Sequence, residues 1–319
     1  MTVPIGSGHG ITNIEGHEDF DIVWPWNQPG GLRRGATAVL RVKNEAPSMR
    51  FVLPPLLRAC DHVLLVDNGS DDGTGQAALA AAADAGLSHK FTVKEYPFSV
   101  ARAGAEHLAV NERSVHSLAY FYNWCFSHVR TRYSWKWDGD MVLTTEGEVS
   151  LADLSWQVGM TDAVVRIPRH GLYVKDETTA YLDLGLRNIE EWGFPMSPDF
   201  VYSKAPEWEI RTTPETFRMF ALPQGLVVEL KHLDGDVTEA HATLDELRDA
   251  YTDLYEEAEA ISKSSVVAAR IAGAQAAAAD VPPPSGGLTD RIPHDVRAKI
   301  PPSVRRGVRK ALGRERTQG

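Results

Sequence analysis

A buried strand that runs straight into an acidic turn, and then into a helix, is the feature that most constrains this fold. The strand covers residues 62–67 (HVLLVD), the turn 68–73 (NGSDDG), and an alanine-rich helix follows over 74–85. A short, continuous apolar run with β-branched residues is typical of a strand buried on both faces. Gly, Asn and Asp punctuate the turn before the helix. The pattern therefore predicts one strand-turn-helix unit of a parallel sheet.

The same alternation continues along the first half of the chain. It predicts further strands at 36–42 (ATAVLRV), 90–96 and 133–137, and further helices at 50–60 and 112–129, with weaker strand patterns at 163–167 and 226–230 and a loop-rich stretch at 193–206. Pro54 and Pro55 count against the first helix. Alternating strands and helices favour an α/β protein with a Rossmann-like, mostly parallel sheet flanked by helices. Because ligands bind beyond the carboxyl ends of such strands, Asp67 and Asp138 are expected at one site.

Composition shifts divide the chain into four predicted parts. These are an N-terminal arm at 1–34, the α/β domain at 35–242, a helical segment at 243–281, and a Pro/Gly linker with a basic tail at 282–319. The Pro-Pro-Pro-Ser-Gly-Gly run after the helical segment is typical of a linker.

The charge distribution limits the partners. A formal net charge of -10 argues against broad attraction to nucleic acid. The tail at 288–319 is the exception, with nine Lys or Arg against three Asp or Glu, and two interpretations stay open: peripheral contact with an anionic membrane, or a basic extension in solution. The start lacks a signal-peptide pattern, so we expect a cytoplasmic protein, with the cytoplasmic membrane face as the alternative location.

A second acidic turn contains two candidate metal ligands. Asp138 and Asp140 flank Gly139 directly after a predicted strand, and their carboxylates could bind a hard divalent cation while leaving room for water and phosphate oxygens. The alternative interpretation is a solvated acidic turn. The sequence context favours a site for a metal-bound diphosphate.

Three motifs together resemble the family 2 glycosyltransferases of the GT-A fold. They are RVKNEA at 41–46, VDNGSDDGT at 66–74 and WDGDM at 137–141, in the family's order and spacing, and the resemblance covers roughly 36–233. It implies a GT-A fold, here with a C-terminal helical extension. It also implies an inverting hexosyltransferase that takes its sugar from a nucleotide-diphosphate donor of UDP or GDP type, with Mn2+ or Mg2+ as cofactor.

The resemblance also assigns residues. In the family, seven matching positions line the nucleotide site: Asn44, Glu45, Asp67, Asn68, Asp71, Asn123 and Asp138. The metal ligands would be Asp138, Asp140 and a late histidine, His232. For the general base that accepts the proton of the acceptor hydroxyl, Glu207 in PEWEI lies nearest the expected place, and Glu209 and Asp199 remain alternatives.

Two matters stay open at this point. The acceptor could be a glycan, a lipid or a small molecule, because loop geometry decides it. The segment around Glu207 departs from the family's usual Glu-Asp pair, so a non-catalytic protein that binds a nucleotide or glycan on a degenerate GT-A scaffold is the second hypothesis.

Overall fold

The computed structural model describes residues 10–158, 163–174, 180–182, 188–206, 208–211 and 213–232. The predicted helical segment at 243–281, and the linker and basic tail at 282–319, lie outside the described residues. So does Glu207. The membrane contact predicted from the tail and the predicted location therefore stay predictions.

Strands dominate the described part of the chain. In chain order they are β1 (Arg33–Val42), β2 (His62–Asp67), β3 (Phe91–Glu95), β4 (Thr131–Asp138), β5 (Met141–Leu143), β6 (Ala163–Val174), β7 (Ala180–Leu182), β8 (Asn188–Pro195), β9 (Tyr202–Lys204), β10 (Glu209–Arg211), β11 (Arg218–Ala221) and β12 (Val227–His232). The helices are α1 (Ala46–Ala59), α2 (Thr74–Asp84), α3 (Ala105–Ala109), α4 (Leu118–Ser127) and α5 (Thr145–Val158).

The described residues form two compact units. The first comprises residues 10–140, 148–158 and 192–217, and its sheet has the strand order β3-β2-β1-β4-β8. The first four of these strands are parallel, and β8 is antiparallel to β4. β1 is buried along its last eight residues, and α1 and α2 pack against each other. The prediction of an α/β fold with a mostly parallel sheet flanked by helices is confirmed.

The second unit is built around β6. β12 and β11 pair with β6 in parallel, β7 pairs with it antiparallel, and β5 pairs with β12 antiparallel. Within this unit the Arg169 guanidinium is buried between the carboxylates of Glu190 and Glu229, at 3.0 and 3.2 Å. A buried guanidinium needs such partners, because an unpaired charge in the interior is costly.

Residues 10–27 of the predicted arm pack onto the first unit. Ile11 and Ile22 pair as an antiparallel bridge, and the Tyr120 hydroxyl donates to the Phe20 carbonyl at 2.9 Å. The Phe20 ring stacks on Trp124 with centroids 5.5 Å apart. Ile11, Ile22 and Trp24 are buried and belong to the core of the unit, and each aromatic contact adds about 0.5–1.5 kcal/mol beyond area burial.

The elements differ from their predictions in three informative places. α1 continues through Pro54 and Pro55, because one face of the helix is buried and tertiary packing outweighs the lost backbone hydrogen bonds. α4 begins at Leu118 rather than at 112, since 111–117 forms turns. The loop-rich stretch predicted at 193–206 contains the end of β8 and all of β9.

A search of the described residues for a membrane-crossing helix found none with the necessary length and apolar character.

The buried His128 side chain predicts an acid-sensitive stability. Burial, and after it the positive charges of Lys94 and Arg130, lowers its pKa to about 3. Its Nε2 has no hydrogen-bond partner among the described residues. The unfolded chain, with an ordinary histidine pKa near 6.5, therefore binds the extra proton first as the pH falls. The contribution of neutral His128 to the free energy of unfolding is therefore fully present above pH 6.5. It is lost as the pH falls from 6.5 to about 3.

His128→Gln should remove this slope. Between pH 6.5 and 5.0 we expect the wild-type free energy of unfolding to fall by about 2 kcal/mol more than that of the variant, measured by urea denaturation at each pH. The exposed His89 offers a matched control, since His89→Gln should keep the wild-type slope. Equal slopes for wild type and His128→Gln would contradict the assignment.

Candidate functional site

The candidate site lies where the strand order of the first unit reverses. From β1 the chain runs outward through β2 to β3 and then returns to place β4 on the other side of β1. Such a reversal opens a crevice at the carboxyl ends of the two central strands. The pairing of β1 with its two neighbours places acidic residues at these carboxyl ends. Val42 pairs with Asp67 on β2, and Arg41 pairs with Asp138 on β4. The expectation that Asp67 and Asp138 share one edge of the sheet is confirmed.

A buried ion pair links the two central strands at this edge. The Arg41 guanidinium, with only 5% of its side chain exposed, contacts the Asp138 carboxylate, which is 37% exposed. Burial by itself would lower the pKa of Arg41, but the Tyr122 hydroxyl and the Asp138 carboxylate raise it above the ordinary arginine value. The guanidinium therefore carries a permanent positive charge directly beneath the acidic turn.

The Tyr122 ring, on α4, packs against the Arg41 side of this ion pair. Its ring centroid lies 4.1 Å from the Arg41 guanidinium carbon, which is a cation–π contact. Burial raises the pKa of the Tyr122 phenol; Arg41 opposes the increase, and the carboxylates of Glu209 and Asp138 add to it. Glu209 on β10 is thus the acceptor-side candidate whose charge acts on the Tyr122 phenol.

Glycine is required in the turn between the two aspartates. A Cβ on Gly139 would lie 2.6 Å from Cγ of Glu45 and 3.0 Å from Cγ1 of Val42. The Asp138-Gly139-Asp140 turn therefore rests directly on the side chain that follows β1. The turn that carries Asp138 and Asp140 thus lies against Glu45, and the roles predicted for these three residues stay predictions.

The acidic turn after β2 and the loop after β1 are joined by hydrogen bonds. Asn44 has a positive φ of 59°, a conformation that asparagine tolerates better than most residues. Its backbone N–H donates to Ser70 Oγ at 2.9 Å, and its side-chain oxygen accepts from the Asp71 N–H at 3.0 Å. Asp67 Oδ1 accepts from the Ser70 N–H at 2.8 Å. Asn44, Asp67 and Asp71 therefore support the crevice as a connected framework.

Asp72 also belongs to that framework, because it accepts hydrogen bonds from the first turns of two helices. Its carboxylate accepts from the Ala46 N–H at the start of α1 and from the Thr74 N–H at the start of α2, both at 2.9 Å. Burial alone would raise the pKa of Asp72, but these N–H groups and the Thr74 hydroxyl lower it. The sequence pattern predicts no role for Asp72 beyond its place in the acidic turn.

Asn68 ties the edge to the loop that follows β3. Its side-chain amide donates to the carbonyls of Tyr96 at 3.1 Å and Phe98 at 2.7 Å. Phe98 in turn contacts Phe20, with ring centroids 4.7 Å apart. Asn68 thus connects the site to the packed arm, and its predicted contact with a nucleotide stays a prediction.

Asn123 is engaged inside the protein. It is 3% exposed, its Nδ2 donates to the Tyr202 carbonyl at 2.8 Å, and its Oδ1 accepts from the Tyr202 N–H at 2.9 Å. These two bonds join α4 to β9. The structure therefore gives Asn123 a structural task, and its predicted contact with a nucleotide stays a prediction.

Three further residues were predicted for the site, Asp199, His232 and Glu207. Asp199 is exposed in a short 3₁₀ turn, where its N–H donates to Ser197 Oγ. His232 is the last residue of β12 in the second unit, and its backbone pairs with Val174. Glu207 lies outside the described residues, so its role as general base stays a prediction.

Arg41 is the site residue that sequence reasoning missed, although a signal for it was present. It is the one charged residue in the otherwise apolar run ATAVLRV, predicted to be a buried strand. A charge in such a strand must have a partner, since unpaired burial is costly. The sequence does not name the partner, because Asp138 lies 97 residues further along the chain.

The acidic turn fits a divalent cation that takes part of its coordination from its ligand. Across the described ranges, no group of three or more His, Cys, Asp or Glu side chains is placed to hold a metal ion. Two carboxylates one residue apart suit Mg2+ or Mn2+, which commonly keep waters and phosphate oxygens as their other ligands. Asp138 and Asp140 therefore fit a metal bound together with a diphosphate.

Comparison with known proteins gives structural neighbours only. No protein-family model matches the chain, and no curated protein matches it in sequence. A solved mycobacterial protein is 16% identical with a TM-score of 0.28, over 46% of this chain and 47% of that one. Glucosyl-3-phosphoglycerate synthase from Mycobacterium tuberculosis, in complex with Mg2+ and UDP, is 15% identical with a TM-score of 0.27, over 43% of this chain and 44% of that one.

A second structure of the same synthase, with Mn2+, UDP-glucose and phosphoglyceric acid, is 15% identical with a TM-score of 0.28. It aligns over 46% of this chain and 51% of that one. The chain thus spans about half the length of the solved proteins that it matches.

Proposed function

We propose that this chain is a glycosyltransferase that transfers a sugar from a nucleotide-diphosphate donor to an acceptor hydroxyl, with inversion and with a divalent metal. The observation that carries the proposal is the placement of Glu45, Asp67, Asp138 and Asp140 at one strand-order reversal of a parallel sheet. This is the crevice where open α/β sheets bind nucleotides. The resemblance of the three motifs to family 2 glycosyltransferases supports the same class.

The charges at this edge favour a metal-bound donor over a free diphosphate. Arg41 contacts Asp138, Asp140 follows in the same turn, Glu45 lies against that turn, and Asp67 ends the neighbouring strand β2. A diphosphate would be repelled by these carboxylates unless a cation lay between them. Asp138 and Asp140 would hold that cation, and a bound Mn2+ or Mg2+ supplies Lewis-acid stabilisation of the charge that develops on the leaving diphosphate.

The other residues would orient the two substrates. Asp67 and Glu45 would accept hydrogen bonds from the nucleoside, and the Asn44 loop and the acidic turn hold them rigidly through the bonds between the loops. A general base on the acceptor side must lie within hydrogen-bond reach of the acceptor hydroxyl. Glu207 is the first candidate for this base. Glu209, whose charge acts on Tyr122 beside the Arg41–Asp138 pair, and Asp199 are the alternatives.

The first test is ligand-dependent thermal unfolding. The purified full chain is heated with UDP, GDP, CMP or dTDP, each with and without Mn2+. A ligand at a hundred times its dissociation constant adds about 2.7 kcal/mol to the free energy of unfolding, which corresponds to a shift of about 5–10 °C for a domain of this size. We expect one nucleotide to give a metal-dependent shift that Asp140→Ala removes.

Turnover separates the transferase from its alternative. Release of nucleoside diphosphate from the matching sugar donor, by transfer or slow hydrolysis, would support catalysis. A metal-dependent shift with no donor consumed would favour the non-catalytic nucleotide- or glycan-binding protein. Absence of any shift with all four nucleotides would contradict the donor site itself.

A further inference from the structure

We propose that Thr74 is the positioning residue of Glu45, and that its hydroxyl fixes the loop conformation in which Glu45 meets the nucleoside of the donor. This inference rests on the proposed function, because it concerns how the same site binds its donor. It assigns a role in nucleotide affinity to a side chain that is completely buried at the start of α2.

Three successive backbone N–H groups of the loop after β1 are bound by three side chains of the acidic turn after β2. The N–H groups of residues 44, 45 and 46 donate, in that order, to Ser70 Oγ at 2.9 Å, Thr74 Oγ1 at 2.8 Å and Asp72 Oδ2 at 2.9 Å. The N–H groups at the start of a helix have no partner within the helix, so other groups must accept from them. The turn therefore shapes the loop one residue at a time.

The Thr74 hydroxyl is fixed in its direction by Asp72. Its proton is donated to Asp72 Oδ1 at 2.5 Å, because an ionised carboxylate only accepts, and its oxygen accepts from the Glu45 N–H. Burial alone would raise the pKa of Asp72, but the hydrogen bonds from Thr74 and the Ala46 N–H lower it, so this carboxylate is ionised at neutral pH. Since Thr74 is completely buried, solvent does not compete for either bond of its hydroxyl.

Glu45 is consequently held between the two acidic turns. Its backbone N–H is bound to Thr74 of the first turn, and its Cγ would lie 2.6 Å from a Cβ on Gly139 of the second. The preceding Asn44 has a positive φ of 59°, a conformation that persists where the surroundings support it. Loss of the Thr74 hydroxyl would remove the bond that ties the Glu45 backbone to α2. A group placed in this way acts on donor binding more than on bond breaking.

The nucleotide affinity of Thr74→Val tests the inference. Valine has the size of threonine and lacks the hydroxyl, so the Glu45 N–H loses its acceptor. We expect the dissociation constant of UDP or GDP, whichever the wild type binds, to rise about tenfold in titration calorimetry of the full chain with Mn2+. The donor KM should rise by a similar factor, and kcat should stay within about twofold of the wild type. Thr74→Ser keeps the hydroxyl and should restore the wild-type affinity.

Thr37→Val is the matched control. Thr37 on β1 is also buried, and its hydroxyl shares a 2.7 Å hydrogen bond with the Thr131 hydroxyl. The substitution removes the same group from the interior of the same unit, so it should lower stability in the same way. Nucleotide affinity should nevertheless stay within about twofold of the wild type. Unchanged affinity in folded Thr74→Val, or an equal loss in Thr37→Val, would contradict the role of Thr74.

Backbone hydrogen exchange tests the same contact without any ligand. In the nucleotide-free full chain, the amides of residues 44–46 should exchange about tenfold faster in Thr74→Val than in the wild type, and close to the wild-type rate in Thr37→Val. Equal exchange rates in Thr74→Val and the wild type would overturn the inference. The expected exchange rates together with no nucleotide binding by the wild type would instead overturn the proposed function.

A double-mutant cycle with Glu45→Ala shows whether Thr74 acts through Glu45. Once the Glu45 carboxylate is gone, Thr74→Val should cost no further nucleotide affinity. Two independent, additive losses would show that Thr74 acts elsewhere. If Thr74→Val does not fold, Asp72→Ala takes its place, because it removes the carboxylate that orients the hydroxyl from an exposed position. Unchanged nucleotide affinity in that variant would also overturn the inference.

Discussion

Asp140→Ala is expected to reduce donor turnover by about 10²- to 10³-fold while leaving the fold intact. Asp140 lies in the turn after β4, half-buried, and Gly139 holds this turn against Glu45. Losing one group that stabilises the charge of a leaving diphosphate costs about 2.7–4 kcal/mol in the transition state. Turnover is measured as release of nucleoside diphosphate at saturating donor and Mn2+, and the fold by thermal unfolding without ligand.

The exposed carboxylate at the end of α2 provides the control. Asp84→Ala removes the same charge from the first unit, at a surface position away from the strand-order reversal. Turnover should stay within about twofold of the wild type. If Asp140→Ala keeps full activity, or if Asp84→Ala loses as much, the assignment of Asp140 to the donor site is wrong.

Asn123→Ala is expected to lower the free energy of unfolding by about 2–5 kcal/mol in the absence of any ligand. The substitution would leave the N–H and the C=O of Tyr202 without the amide that now binds both. Each unsatisfied buried polar group costs about 1–3 kcal/mol. Urea denaturation at neutral pH measures the loss, and a change in the midpoint without a change in slope would show that the unfolding remains cooperative.

This result would also decide between two roles for Asn123. Asn111→Ala is the comparison, because Asn111 is exposed and makes a local hydrogen bond to the Arg113 N–H; its effect should stay below about 1 kcal/mol. Should Asn123→Ala remain as stable as the wild type and yet lose nucleotide binding, the contact with a nucleotide implied by the family resemblance would be the correct role.

Local patterns in the sequence were sufficient for the α/β class. Apolar runs such as HVLLVD and ATAVLRV, each followed by a polar turn and a helical segment, require strands covered on both faces. That Asp67 and Asp138 lie at one edge also follows from the sequence, because parallel strands present their carboxyl ends together. These conclusions need only the periodicity of nearby residues.

Elements that depend on distant partners were predicted less well. α1 keeps Pro54 and Pro55 because its buried face outweighs their local cost, and the sequence alone contains no measure of that burial. The pairing of β8 with β4 joins Gly193 to Trp135 across 58 residues of chain, in a stretch that local composition marks as a loop. In both places tertiary packing outweighs the local propensity of the sequence.

The site shows the same division. The acidic residues that end two central strands follow from the sequence alone, whereas Arg41 stands in a buried strand with a partner that the sequence does not name. Only the tertiary structure decided that this partner is Asp138, that Tyr122 covers the pair, and that Asn123 holds Tyr202. The physical reason is that strand register and side-chain packing join residues far apart in the chain, and no local pattern records those distances.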